Sequence, residues 1–337
     1  MEKMSLSVIA HMAGVSKQIV YMVLNNRQYK RMKASPQTRE RILKIARESG
    51  YVAPKSAKEL FSGKSDNIGI IFHKIVPPFS KVMSHLQQEA RRRNLEITPY
   101  ITDGDENLEN HYLNSARDGR VDAIIAISLL DGSPERYQRS TKPPYNLKIL
   151  SYSGPLSGVP TIHFNETEAG RLAAEHLIAK GCKKPAFFGG FRNSTRARGF
   201  VQYFRENNLP DPLIYVGEKY TAYFPEGKIL AREFLKSRNL PDGVFASNDL
   251  LAIALLSGAL AKGLRVPEDM AIMGCDNTEA GLYTTPALTS IDTNISLLAK
   301  KAIAKIEGMI KGEEPKPFHT EVPVSLIVRE STILNHS

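Results

Sequence analysis

Several polar side chains in this 337-residue chain stand directly after, or at the end of, apolar strand-like runs. Asp276 follows the run at 270–274, and Asn248 and Asp249 follow 244–246. Ser128 follows 121–127, and Tyr152 closes 147–152. Ligands of open α/β sheets bind at the carboxyl ends of the strands. A carboxylate there accepts two hydroxyl hydrogen bonds, which suits a sugar. Asp249 also reads as the N-cap of the helix that starts beside it, whereas Asn248 has no such alternative and is the better ligand candidate. Phe79 can stack on a sugar face or pack into the core. The two cysteines, Cys182 and Cys275, are far apart and each lies beside an apolar run, so buried thiols are expected rather than a disulfide or a metal site. The eight histidines pair with no Cys or acidic cluster at ligand spacing, and His163 and His176 read as structural. No Walker A loop, GxGxxG, HExxH or nucleophile elbow is present. The expectation is a ligand-binding protein that is not an enzyme and needs no cofactor or metal.

A different chemistry gathers at the N-terminus. Residues 1–64 carry 13 basic against 4 acidic side chains, a net +9, while the other 273 carry 32 against 31. Nearly all of the +10 net charge therefore sits in the first fifth of the chain, the electrostatic footprint of nucleic-acid binding. Within this block Lys17, Gln18, Tyr21 and Met22 fall on the helical face opposite Val20, Val23 and Leu24.

The elements that must hold these residues can be read from periodicity. Ser5 caps a first helix with Leu6, Ile9, Ala10 and Ala13 on one face. Ala13-Gly14-Val15-Ser16 is a tight turn: Gly allows left-handed backbone, Val packs inward and Ser restarts the chain as a second helix. Helix, short turn with Gly, helix is a helix-turn-helix. Ser35-Pro36 starts a third helix, which passes through Ile42, Ile45 and Ala46 and stops at Gly50. Residues 51–64 are a linker whose stretch 55–61 has helical potential but is too short to be stable alone. From Asn67 onward, strand runs at 68–72, 95–101, 121–127, 147–152, 184–189, 244–246 and 270–274 alternate with helical patterns at 80–93, 166–180, 225–236, 249–262 and 296–311. That spacing predicts doubly wound parallel sheets, two of them, and so a two-lobed body with a cleft.

The chain resembles the lactose/galactose repressor family of bacterial transcriptional regulators. The matching residues are Val8-Ile9-Ala10, Ala13-Gly14-Val15-Ser16, Val23-Leu24-Asn25, Thr38-Arg39-Glu40-Arg41-Ile42, Gly50-Tyr51 and Pro54. In the body they include Val121-Asp122-Ala123-Ile124-Ile125, Phe245-Ala246-Ser247-Asn248-Asp249, Gly263-Leu264-Arg265-Val266-Pro267-Glu268-Asp269 and Val328-Arg329-Glu330-Ser331. The resemblance implies an all-α headpiece at 1–50, a hinge at 51–65 and a periplasmic-binding-protein-like effector and dimerisation domain at 66–337. Its N-lobe would span about 66–161 and 292–320, its C-lobe about 162–291 and 321–331. It implies a homodimer on near-palindromic double-stranded operator DNA, acting as a repressor under allosteric control by a small ligand, a sugar or related metabolite. Ser16, Lys17, Gln18, Tyr21, Met22, Asn25 and Arg27 would meet DNA, and in the hinge Ala57 and Leu60 would reach the minor groove, unless Leu60 packs on the body. Of Arg196 and Arg198, which precede Gly199-Phe200, Arg196 is preferred for the ligand, together with Phe79, Ser128, Tyr152, Asn248 and Asp276.

The sequence departs from the family where DNA is read. The usual Thr-Val-Ser-Arg is Ile19-Val20-Tyr21-Met22, and the loop at 26–34 is longer and basic. Met22 lacks the donors with which Arg reads guanine, so a thymine, whose methyl it could touch, or another non-guanine base is expected opposite it. The chain ends soon after Ser331 with no heptad tail, so a dimer is expected rather than a tetramer. With no signal-like apolar stretch at the start, a cytoplasmic location is expected. Two rivals remain at this point: a cytoplasmic sugar-binding protein with no regulatory DNA role, and an enzyme on a Rossmann-like body.

Overall fold

A computed structural model describes residues 5–24, 34–49, 51, 65–73, 79–127, 133–152, 158–190, 194–217 and 224–333. The chain divides into two units, 1–66 and 67–337. In the first unit, Ser5 accepts a hydrogen bond from the Val8 amide and starts α1 (Leu6–Ala13), which ends where Gly14 turns to φ +64°. Helix α2 (Lys17–Leu24) follows at 103° to α1, within the range of a helix-turn-helix. Ser35 accepts from the Thr38 amide and Pro36 opens α3 (Pro36–Glu48). Ile9, Ala10 and Ala13 of α1 close a small core with Val20, Met22 and Val23 of α2 and Ile42 and Ala46 of α3.

The second unit holds two six-stranded sheets. The first contains β1 (Asn67–Phe72), β2 (Glu96–Ile101), β3 (Ala123–Ala126), β4 (Ile149–Ser151), β5 (Thr161–Phe164) and β11 (His319–Val322), in the order β11-β5-β4-β3-β1-β2, all parallel. The second contains β6 (Pro185–Phe188), β7 (Leu213–Tyr215), β8 (Gly243–Ala246), β9 (Ala271–Cys275), β10 (Thr289–Asp292) and β12 (Ser325–Ile327), in the order β12-β10-β9-β8-β6-β7. Only β12 runs antiparallel to its neighbour among these. Strands β1, β3, β4, β6, β8 and β9 are buried at every position, which is why their sequences are continuous apolar runs rather than alternations.

Helices cover both faces of each sheet. On the first, α4 (Phe79–Arg91) and α11 (Ile295–Lys311) bury Val82, Leu86, Ile303 and Ile306 against Ile68, Ile70 and Ile125. On its other face lie α5 (Glu106–Arg117) and α6 (Ser133–Thr141), with Leu113 and Tyr137 against Ile71 and Ile124. The second sheet is flanked by α9 (Phe224–Phe234) and α10 (Asp249–Ala261) on one side and by α7 (Glu166–Ala179) and α8 (Thr195–Glu206) on the other. Strands β5 and β11 pair with each other, so both complete the first sheet, to Phe164 and Val322, before the chain crosses to the second. The lobe changes thus fall a few residues later than the expected 161/162 and 320/321. No single helix among the described residues is long and apolar enough to cross a membrane.

Candidate nucleic-acid interface and ligand cleft

Helix α2 presents Lys17 and Gln18 to solvent, with Ser16 exposed just before it. Val20 and Val23 face inward as the sequence pattern requires. Tyr21 and Met22 do not lie on the open face: they are 3% and 4% exposed, and Met22 packs in the headpiece core. The expectation that Met22 offers a methyl contact to thymine is corrected by this packing. The apolar positions 19, 20, 22, 23 and 24 cover more than one helical face, and a flexible thioether fills the gap between short helices. Of the expected DNA contacts, Ser16, Lys17 and Gln18 are the ones exposed among the described residues. Asn25, Arg27, Ala57 and Leu60 lie outside the described residues, as does Ser128 of the body.

In the body, Asp276 sits at the end of β9 with φ +104°, a region that a non-glycine residue occupies only under constraint. Its residue is 7% exposed, and no described residue hydrogen-bonds its carboxylate. Burial pushes its pKa up to about 7; nearby Arg196 and Lys81 oppose that rise, and Asp249 and Glu166 add to it. Arg196, in the first turn of α8, donates to the Ser247 carbonyl oxygen, lies 3.8 Å from the Glu166 carboxylate and sits 5.3 Å above the Phe164 ring. Glycine makes this meeting possible. A Cβ on Gly199 would stand 2.1 Å from the Thr167 carbonyl oxygen, and one on Gly170 2.1 Å from that of Arg196, so only glycine lets α7 and α8 cross closely enough to join Arg196 to Glu166. Arg198 instead faces solvent and bonds Thr195.

The N-cap falls on Asn248 and not on Asp249. Asn248 is the N-cap of α10, its Oδ1 accepting from the Leu251 amide at 2.9 Å. Asp249 is 1% exposed and accepts from the Thr278 amide at 2.6 Å, the Thr278 hydroxyl at 2.9 Å and the Ser290 hydroxyl at 2.6 Å. Burial raises its pKa to about 6, and those hydrogen bonds limit the rise. Asp249 thus ties α10 to the turn after β9, while Asn248 carries the capping role that the sequence suggested for its neighbour. Phe79, the first residue of α4, is half-buried and packs against the N-lobe core. Tyr152 is buried in the same core beyond the end of β4; its hydroxyl has no hydrogen-bond partner among the described residues, and burial pushes its pKa up. His176 is neutral and structural: burial lowers its pKa to about 4, and Nε2 meets the Thr332 hydroxyl at 2.8 Å.

Sequence reading missed three residues of this site. Lys81 of α4 donates to the Asn277 carbonyl oxygen at 2.9 Å, and Arg329 donates to the Asn277 side-chain oxygen at 2.6 Å and to the Leu288 carbonyl oxygen at 2.6 Å. Glu166 stands beside Arg196. These residues are 52 to 196 positions from Asn277 in sequence or on another element, and no spacing rule joins them. Among the described residues no group of three or more His, Cys, Asp and Glu could hold a metal ion.

Two doubly wound sheets with strand ends converging on a buried carboxylate define a periplasmic-binding-protein-like body, here joined to a helix-turn-helix. The sequence profile of a periplasmic binding protein-like domain matches residues 174–332. The chain is 26% identical to the HTH-type transcriptional regulator DegA of Bacillus subtilis (strain 168), covering 96% of each chain. It is 26% identical to the ribose operon repressor of Halalkalibacterium halodurans, again covering 96% of each. Its fold matches that of the lac repressor dimer bound to operator and the anti-inducer ONPF, with a TM-score of 0.85 at 23% identity over 99% of this chain and 100% of that one. Over nearly its whole length the chain is thus similar to transcriptional regulators of the lactose/galactose repressor family.

Proposed function

We propose that this protein is a transcriptional repressor without catalytic activity that works in the cytoplasm as a homodimer on a near-palindromic operator. A sugar or related metabolite in the body cleft controls its grip on DNA. The observation that carries the ligand half of this reading is Asp276: a buried carboxylate at a strand end, with no donor among the described residues, meets its hydrogen-bonding need when a polyol arrives. Arg196, Asn248, Phe79 and Tyr152 supply the surrounding polar and aromatic groups. Ser128 would add a hydroxyl from the end of its strand run. For DNA, the +9 charge of residues 1–64 supplies phosphate affinity, and Lys17 and Gln18 supply base contacts. Asn25 and Arg27 would extend the recognition helix, and Ala57 and Leu60 would enter the minor groove from the hinge. Ligand binding changes how the two lobes stand, and so whether both headpieces reach their half-sites together, which is a coupling free energy between two sites.

Two experiments test this. Binding-site selection with randomised duplex DNA on the full chain should return a two-fold operator. A thermal-shift screen of the same protein against sugars, sugar phosphates and nucleobases should return a stabilising ligand that alters operator affinity. Selection without enrichment would leave a sugar-binding protein with no DNA role, and turnover of the stabilising ligand would mean an enzyme.

A further inference from the structure

The turn that carries Asp276 is held from both lobes. Asp276 and Asn277 both have positive φ, +104° and +46°, two consecutive non-glycine residues in a disfavoured region. Such conformations persist only when the surroundings over-determine them. On the C-lobe side the constraints are dense. The Asp276 amide donates to the Ile291 carbonyl, the Asn277 amide to the Ser290 hydroxyl and the Thr278 amide to Asp249, while Arg329 grips the Asn277 side chain. The Asn277 carbonyl oxygen is taken by Lys81, which comes from α4 of the other lobe. The same ammonium acts on the Asp276 carboxylate, together with Arg196, Asp249 and Glu166.

We propose that Lys81 is a positioning residue that clamps the Asp276–Asn277 turn across the cleft, so that the ligand meets a carboxylate already set in place between lobes already drawn together. The clamp rests on the reading of the cleft as the ligand site. It follows from its geometry that opening the lobes breaks one charge-assisted hydrogen bond to a main-chain oxygen, a bond stronger than a neutral one. The lobe angle and the setting of Asp276 are thereby the same variable. A ligand that spans the cleft replaces or reinforces this bond, and a ligand that contacts one lobe alone does neither.

The test needs neither ligand nor operator, so its failure is separable from failure of the proposed function. Amide hydrogen exchange is followed by mass spectrometry on the full chain for wild type, Lys81→Met and Lys81→Arg. Lys81→Met should speed exchange in the segment 276–282 by about tenfold, the cost of one hydrogen bond to a charged group. Lys81→Arg, which keeps the donor and the charge, should restore protection, and β8 amides should not change in either. Removing the ammonium should also raise the titration midpoint of Asp276, read from its carboxyl carbon resonance, and Lys81→Arg should return it. Equal exchange in Lys81→Met and wild type overturns the proposal. So does a rise shared equally by β8, which marks global loosening, or a Lys81→Arg protein that behaves as Lys81→Met.

Discussion

Asp276 holds a carboxyl group inside the protein with no donor among the described residues, and burial raises its pKa. The group titrates near 7 in the folded body against 3.8 when unperturbed. Between those values the folded chain keeps a proton that the unfolded chain has released, so stability falls as pH rises through this window and stays lowered above it. Asp276→Asn removes the penalty. Its melting temperature should exceed wild type at pH 8 and converge with it near pH 3.8, as scanning calorimetry at both values will show. Asp276→Ala should weaken the ligand found by screening by roughly 1–3 kcal/mol, because a buried hydroxyl of the ligand loses its partner; unchanged affinity in titration calorimetry would remove Asp276 from the site. Met22 is the second instructive residue. Since it fills the headpiece core, Met22→Ala should destabilise the headpiece by roughly 2–5 kcal/mol, and Met22→Leu by less than about 1.5 kcal/mol. Gln18→Ala should leave melting unchanged and cost roughly 1–3 kcal/mol of operator affinity at one base position per half-site. A selected operator whose preferences do not respond to Gln18 would show that α2 reads DNA through other residues.

Helix crossings set the site as much as the residues on them do. Gly170 and Gly199 sit where α7 and α8 touch backbone to backbone, and the crossing brings Arg196 to Glu166 and the Asp276 region. Gly199→Ala must push the helices apart, with an expected cost of about 1–3 kcal/mol or more. It should weaken ligand binding even though residue 199 itself is not offered as a ligand contact. Denaturant unfolding combined with ligand titration measures both losses, and a variant with wild-type affinity would show that Arg196 tolerates displacement. At the start of α10, Asn248→Ser keeps a capping oxygen whereas Asn248→Ala removes it and should cost roughly 0.5–2 kcal/mol of body stability. If Asn248 also contacts ligand, both variants should bind it more weakly; if only the alanine variant suffers, its role is the cap. Element recognition from sequence followed apolar continuity. The buried strands β1, β3, β6, β8 and β9 were legible, whereas three-to-four-residue strands such as β5, β7 and β12 were not, nor was α5, whose ENLENHYLNSAR shows few apolar side chains.

Charge is distributed at the scale of the whole chain, with +9 in residues 1–64 and +1 in the rest. Operator affinity should therefore fall steeply with salt, log K dropping by about 0.9 per neutralised phosphate for each tenfold rise in concentration. Replacing Lys30 and Arg31 by alanine should lessen that slope by about two phosphate contacts per headpiece, measured by fluorescence anisotropy across a salt series, and an unchanged slope would exclude the basic loop from the backbone. The amino-acid sequence alone determined the helix-turn-helix, the two parallel sheets, the charge asymmetry and the place of Asp276, because each depends on periodicity, local capping chemistry or the end of an apolar run. Tertiary structure alone decided that Met22 turns inward, that Asn248 rather than Asp249 caps α10, and that Lys81, Glu166 and Arg329 join the site. The reason is physical: a cap or a core position is settled by which of two adjacent side chains the packed backbone aims at a free amide or a cavity. Contacts between residues as far apart as Lys81 and Asn277 exist only once two sheets have folded and faced each other.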